Sequence, residues 1–164
     1  LPEAITDSFA ESGLRHSPAE WALKWLFDDP RISVVLSGMS AMEHVTENLR
    51  VSAAAGAGSM TDKERKVMNQ VQAIFRQRMK VPCTTCGYCM PCPAGVEIPK
   101  NFSMYNSFHM LGDKFSDSIR FMYFAQVAES ARASKCVKCG RCETHCPQHI
   151  AIMRELENVA ATFK

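Results

Sequence analysis

The sequence predicts a mainly α-helical protein in two parts, and three observations carry that prediction. Ser/Thr-x-x-Glu boxes at Ser17–Glu20, Ser40–Glu43 and Thr61–Glu64 each open a stretch with apolar residues at helical spacing. Only one short β-branched run, Ile32-Ser33-Val34-Val35-Leu36, reads as a buried strand. All eight cysteines fall in two short runs of the second part.

Composition sets the outer bounds. A chain of 164 residues with 46% hydrophobic content buries an ordinary core, in one domain or two small ones. Net charge is +2, which gives no whole-chain signature of a nucleic-acid or anionic-membrane partner. No apolar run approaches the ~18 residues of a membrane span. The start, Leu1-Pro2-Glu3-Ala4-Ile5, has neither a basic nor an apolar leader region, so no secretion signal is legible. Clustered thiols without such a signal lead to the expectation of a cytoplasmic protein, and the Leu1 start to that of a fragment of a longer one.

Residues 1–15 carry few signals and read as loop. Pro18 then stands at the first helical position behind the Ser17 cap. That helix holds Trp21, Ala22, Leu23, Trp25, Leu26 and Phe27, is apolar around most of its surface, and stops at Asp28-Asp29-Pro30. After the strand at 32–36 comes the turn Ser37-Gly38-Met39 and a helix placing Met42, Val45 and Leu49 on one face, ending near Val51. Helix, strand, turn and helix form an αβα unit. Free N–H groups and the positive dipole end after the glycine turn suit an anion site, and equally an ordinary helix cap.

Val51–Met60 is poor in large side chains and reads as the boundary, so the parts are residues 1–55 and 56–164. The Thr61 box opens a helix of about five turns with Val67, Met68, Val71, Ile74 and Phe75 on one stripe. Arg76, Arg78 and Lys80 at its end complement the helix dipole. They read first as a solvated helix end, and alternatively as a docking patch for an acidic electron-transfer protein.

The cysteine runs carry the chemistry. The first is Cys83-x-x-Cys86-x-x-Cys89-x-x-Cys92-Pro93; the second is Cys136-x-x-Cys139-x-x-Cys142-x-x-x-Cys146-Pro147. Three cysteines at two-residue intervals let one loop wrap three corners of a cubane. A fourth before proline marks a bacterial ferredoxin site, where it ligates the other cluster. Gly87 and Gly140 occupy matching places and allow a positive φ with N–H groups close to sulfur. The expected pairing is therefore crossed: Cys83, Cys86, Cys89 and Cys146 around one [4Fe–4S] cluster, Cys136, Cys139, Cys142 and Cys92 around the other. The first run has one residue fewer before its last cysteine than the ferredoxin pattern. Two zinc sites also take eight thiolates, but a Cys₄ zinc site normally uses separated Cys-x-x-Cys pairs. Disulfides suit the crowded spacing less.

Between and after the runs the chain reads as helical. Pro99 opens a helix with Phe102, Tyr105, Phe108 and Leu111, closed at Gly112. A second helix carries Ile119, Met122, Tyr123, Phe124 and Val127, and a last one Ile150, Met153, Leu156 and Val159. The whole resembles the α-helical ferredoxin domains attached to multi-subunit reductases. Apolar walls of this kind keep water off the sulfurs and help set a cluster's potential. His145 and His149 are hydrogen-bond candidates near a cluster, the ligand sets being complete without them.

The first part resembles a known family. Ser17-Pro18-Ala19-Glu20-Trp21-Ala22-Leu23-Lys24-Trp25-Leu26, then Val34-Val35-Leu36-Ser37-Gly38-Met39-Ser40 and Glu43-His44-Val45-Thr46-Glu47-Asn48-Leu49, look like the end of an aldo/keto reductase (β/α)₈ barrel. The resemblance implies that the strand closes the barrel and the next helix closes the outer ring. It implies a site for the adenosine end of NADP(H) or NAD(H), with Gly38 and Ser40 on phosphate and Glu47 and Asn48 at the adenine. His44 stands where the family usually has Gln or Arg. The family's catalytic Asp, Tyr, Lys and His come from early strands, so the implied partner is an upstream barrel of the same parent chain, and this chain alone lacks the hydride chemistry. A barrel followed by a two-cluster tail is similar to the iron–sulfur-containing branch of that family. The function implied is an electron-transfer module of an NAD(P)H-dependent oxidoreductase. The alternatives are a stand-alone ferredoxin-like carrier and a structural zinc-binding tail, separated by iron, sulfide and zinc content and by the upstream reading frame.

Overall fold

Helices carry almost all of the regular structure in the computed structural model, which describes residues 1–164. In chain order they are α1 (Glu3–Glu11), α2 (Pro18–Asp28), α3 (Met42–Ala54), α4 (Asp62–Arg78), α5 (Ile98–Leu111), α6 (Ser116–Gln126) and α7 (Ile152–Thr162), with short 3₁₀ turns between α5 and α7. No β-strand forms. Two units result, Glu3–Ile74 and Phe75–Lys164. The division falls inside α4, beyond the small-residue stretch 51–60 that the sequence suggested, because the first turns of α4 are tied into the first unit.

Those ties centre on Glu64. Thr61 and Glu64 form a reciprocal capping box: the Thr61 N–H donates to Glu64 at 2.7 Å and the Glu64 N–H to the Thr61 hydroxyl at 3.3 Å. The Glu64 carboxylate, itself buried, also meets Lys24 of α2 and, at 2.9 Å, His16. Burial pushes its pKa up, but Lys24, the Thr61 N–H and hydroxyl, and His16 outweigh that and hold it at about 2. His16 reaches Glu20 at 3.0 Å through its other nitrogen, and Glu20 in turn accepts from Arg50 of α3 at 2.8 Å. One chain of polar side chains therefore joins α2, α3 and α4. Beneath it Trp21, Met60, Val67 and Met68 form the unit's small core, with Phe9 stacked on Trp21 at 5.1 Å.

Four readings of the first part need correction. Residues 3–11, read as loop, form α1, anchored by the fully buried Ile5. Ile32–Leu36 takes up no regular secondary structure. A strand needs a neighbouring backbone to satisfy its N–H and C=O groups, and no backbone segment pairs with this one. Leu36 is 95% and Val34 76% exposed. The Ser40 box does not form either: Ala41 is the N-cap of α3 and no side chain caps it. Of the expected stripe on α3, Met42 and Leu49 are exposed, and it is Val51 that is buried.

The second unit follows its pattern, except that Met122 and Phe124 of α6 are exposed. Ile98–Leu111 ends at Gly112 with φ 74°, the left-handed conformation glycine adopts without a Cβ penalty. Val96, Ile98, Phe102 and Tyr105 pack with Ile119, Tyr123, Val127, Ile150, Ile152, Leu156 and Val159. One polar residue sits in this core. Asn101 is wholly buried and uses its entire amide: its NH₂ donates to the Glu97 and Ala131 carbonyls, both at 2.9 Å. Its oxygen accepts from the Tyr123 hydroxyl at 2.8 Å and the Ala133 N–H at 2.9 Å. This ties α5 and α6 to the irregular segment that leads into Cys136.

Candidate metal centre: two matched cysteine loops

The two loops share one backbone course. Thr85 and Lys138 both have φ 55°, and Gly87 and Gly140 have 79° and 76°. A left-handed conformation at a non-glycine residue costs of the order of 1–3 kcal/mol and collects at functional sites. Here it turns an N–H onto sulfur: Thr85 donates to Cys83 Sγ and Lys138 to Cys136 Sγ, each at 3.4 Å. A turn closes each triplet, Met90 N–H to the Gly87 carbonyl at 2.9 Å and Glu143 N–H to that of Gly140 at 3.1 Å. A second turn follows each last cysteine, Gly95 to Cys92 at 2.9 Å and His149 to Cys146 at 3.1 Å.

The correspondence continues into the helices. Val96 matches Ile150, Ile98 matches Ile152, Phe102 matches Leu156 and Tyr105 matches Val159, and all eight are buried. One exchange is compensated within its own half. Met153 opens α7 with a free N–H, which the Glu143 carboxylate accepts at 2.9 Å. Its counterpart on α5 is Pro99, which has no N–H, and the counterpart of Glu143 is the uncharged Met90. Sequence reading found the repeated cysteines and glycines but not Thr85, Lys138 or Asn101. Laying residues 83–105 over 136–159, with one residue inserted before Cys146, exposes the helical part of the repeat.

All eight cysteines are free thiols. Cys83, Cys86, Cys89 and Cys146 line one cavity, walled by Ile98, Phe102, Ile150 and Ile152. The fourth thiol thus comes from the other run. Burial pushes the Cys89 thiol up, and charge on Cys83, Cys86 and Cys146 adds to it. In the second loop burial pushes Cys142 up to about 11, with contributions from Glu143, Cys136 and Cys139. Cys92 and Cys136 both pack against the shared core. The segment after Cys92 runs beside the one before Cys136, with Glu97 N–H donating to the Ala131 carbonyl at 3.0 Å. In each triplet the outer cysteines are half-buried and the middle one, Cys86 or Cys139, is exposed. Four soft donors around an apolar-walled cavity, with N–H groups turned to sulfur, fit an iron–sulfur cubane. His145 turns its Nδ1 to the Arg141 carbonyl at 2.8 Å, and His149 is exposed at the turn after Cys146.

The residues singled out in the first part stand on the surface. Gly38, Ser40 and His44 are exposed, while Glu47 and Asn48 are half-buried. The Ser40 N–H points to His44 Nδ1 at 3.4 Å, and the Asn48 amide donates to the Ser37 hydroxyl at 2.9 Å. The turn and the start of α3 are therefore drawn together by side chains of the helix. No helix is long and apolar enough to cross a membrane.

Comparison with curated proteins and with solved structures returned no match. Residues 82–151 match the model of the 4Fe-4S dicluster domain. That span contains all eight cysteines and the whole repeat of loops, so this part of the chain is similar to a dicluster domain, and its eight cysteines fit two [4Fe–4S] clusters of the kind used in iron–sulfur electron transfer.

Proposed function

We propose that the chain is the electron-transfer module of an aldo/keto reductase-type oxidoreductase, with the eight cysteines as cluster ligands in crossed sets. The observation that carries the cluster assignment is the cavity shared by Cys83, Cys86, Cys89 and Cys146, which a ligand set confined to one run does not produce. Twofold repetition of the loops supports the same arrangement for Cys92 with Cys136, Cys139 and Cys142. When bound, such clusters accept and release single electrons. The protein's part is to hold thiolates at fixed corners, donate N–H groups to two sulfurs, and keep water away with Ile98, Phe102, Ile150 and Ile152. An anaerobic sample reduced by dithionite is expected to bleach reversibly and show electron spins at low temperature. A colourless, spin-silent sample would refute the redox role.

The link to a nicotinamide-dependent parent is supported by what the first unit leaves open. A β-branched segment outside any helix, with Val34 and Leu36 exposed and flanked by α2 and α3, suits a βα unit that lacks its neighbouring strands. In such a parent Gly38, Ser40, His44, Glu47 and Asn48 bind the adenosine end of NADP(H) or NAD(H). Catalytic Asp, Tyr, Lys and His come from the upstream barrel. Ser40→Ala and Asn48→Ala in the parent are expected to weaken nicotinamide binding by about tenfold each, since each removes a polar side chain that this reading places on the nucleotide. Cluster absorbance stays unchanged. Unaltered dissociation constants in both variants would remove the nicotinamide site.

A further inference from the structure

The matched halves of the second unit differ at one paired position. In the second half Lys138, on the cysteine loop, is ion-paired with Glu157 of α7. That bridge spans the space between loop and helix. The counterparts in the first half are Thr85 and Ser103, too short to meet. There a groove of about 330 Å³ remains between loop and α5, lined by Cys83, Thr85, Ser103, Asn106, Ser107, Met110 and Leu111. A side of Cys83 therefore forms part of its wall.

Two cations stand at its rim. Arg78 donates to the Met110 carbonyl at 3.0 Å, and the Lys80 N–H donates to the Asn106 side chain at 3.1 Å. The Lys80 ammonium holds only the Gln77 carbonyl, at 3.2 Å. Neither cation pairs with a carboxylate, whereas Lys135 and Lys138 beside the second loop face Glu129 and Glu157. The open, cation-rimmed groove thus belongs to one cysteine set alone, while the equivalent place on the other is bridged.

We propose that this groove docks an acidic loop of a redox protein, which exchanges electrons with the cluster held by Cys83, Cys86, Cys89 and Cys146. The proposal rests on the two-cluster reading. One electron passes from the partner's reduced centre to the cluster; no bond forms or breaks and no proton moves. The two cations at the rim, neither paired with a carboxylate, suit an acidic segment, while the wall itself combines polar Thr85, Ser103, Asn106 and Ser107 with apolar Met110 and Leu111.

The test uses the iron-loaded chain with an acidic flavodoxin as the probe, titrated by calorimetry at low ionic strength. Binding is expected, and Lys80→Glu and Ser107→Trp are each expected to weaken it about tenfold, by reversing a steering charge and by filling the groove. Thr85→Lys with Ser103→Glu, which writes the second half's ion pair into the first, is expected to do the same. Lysine tolerates this backbone, since Lys138 already has φ 55°. Glu157→Ser, on the other half, leaves affinity unchanged. The proposal is overturned if the wild type does not bind, if Lys80→Glu and Ser107→Trp bind as the wild type does, or if Glu157→Ser alone weakens binding. Iron and sulfide assays on every sample separate the two readings: intact clusters with an indifferent groove defeat the docking site alone, and a wild type without clusters defeats both.

Discussion

The Cys146→Ser variant is expected to lose one of its two clusters and keep the other. Cys146 lies in the second run of the sequence but lines the cavity of the first triplet. If ligands were taken run by run, the surviving cluster would be the one on Cys83, Cys86 and Cys89. With crossed ligands it is the one on Cys136, Cys139 and Cys142. The double variants distinguish these outcomes: adding Cys89→Ala to Cys146→Ser should cause no further loss of iron, while adding Cys142→Ala should remove the rest. Stability falls with the cluster, because cluster binding is coupled to folding of the unit that supplies the ligands. The loss should be confined to the Phe75–Lys164 unit, whose core includes the cavity walls Ile98, Phe102, Ile150 and Ile152. Iron loss from the second site instead would contradict the crossed assignment.

Asn101→Leu is expected to be the most damaging substitution outside the cysteines, at about 2–4 kcal/mol. Leucine fills a similar volume, so the cost comes from polar groups and not from a cavity. The Tyr123 hydroxyl loses its acceptor and the Ala133 N–H is left with the Tyr123 oxygen alone, at 3.4 Å, in a place that water does not reach. Asn101 also holds the Ala131 carbonyl, and Ala131 and Ala133 position the approach to Cys136. The variant should therefore release iron from the second site faster than from the first. Tyr123→Phe removes one hydroxyl but leaves the amide with its backbone partners, and is expected to cost only about 1 kcal/mol. Chemical denaturation followed by helix signal and by visible absorbance checks both effects. An Asn101→Leu protein within about 0.5 kcal/mol of the wild type would show that the amide network does not hold the loop.

How much of this was legible in the sequence differs between the two units, for a physical reason. In the second, the cysteine spacing, the glycines at 87 and 140, the helix start at Pro99 and its stop at Gly112 each act locally, and each is realised. Asn101 escaped notice because a lone asparagine in a helix carries no sign of burial; only tertiary packing makes it a hub. Thr85 and Lys138 escaped because nothing in their chemistry favours positive φ, which the loop around the sulfurs imposes. In the first unit, α2 and the Thr61–Glu64 box follow from adjacent residues and form as expected. The strand at 32–36 does not, because strand formation depends on a neighbouring backbone and not on β-branched side chains alone. The Ser40 box loses its role for a similar reason: the chain enters α3 one residue late, and the Ser40 N–H turns to His44. The first turns of α4 join the first unit because Glu64 and Arg65 find partners there, Lys24 and His16 for one and Asp28 for the other.

The pairing of the halves also bears on how electrons move. Equivalent thiols have equivalent exposure, and matching N–H groups reach one sulfur in each loop. Backbone and burial therefore set similar conditions at both sites, and any difference between them falls to side chains such as Lys138, Arg141 and Glu143, which the first loop lacks.

Iron, zinc and acid-labile sulfide, measured on anaerobically purified wild type beside Cys146→Ser, test the central claim most directly. The predicted result is about eight iron and eight sulfide in the wild type, about four of each in the variant, and no stoichiometric zinc. Zinc without sulfide in a colourless wild type, or an undiminished iron content in Cys146→Ser, would contradict it.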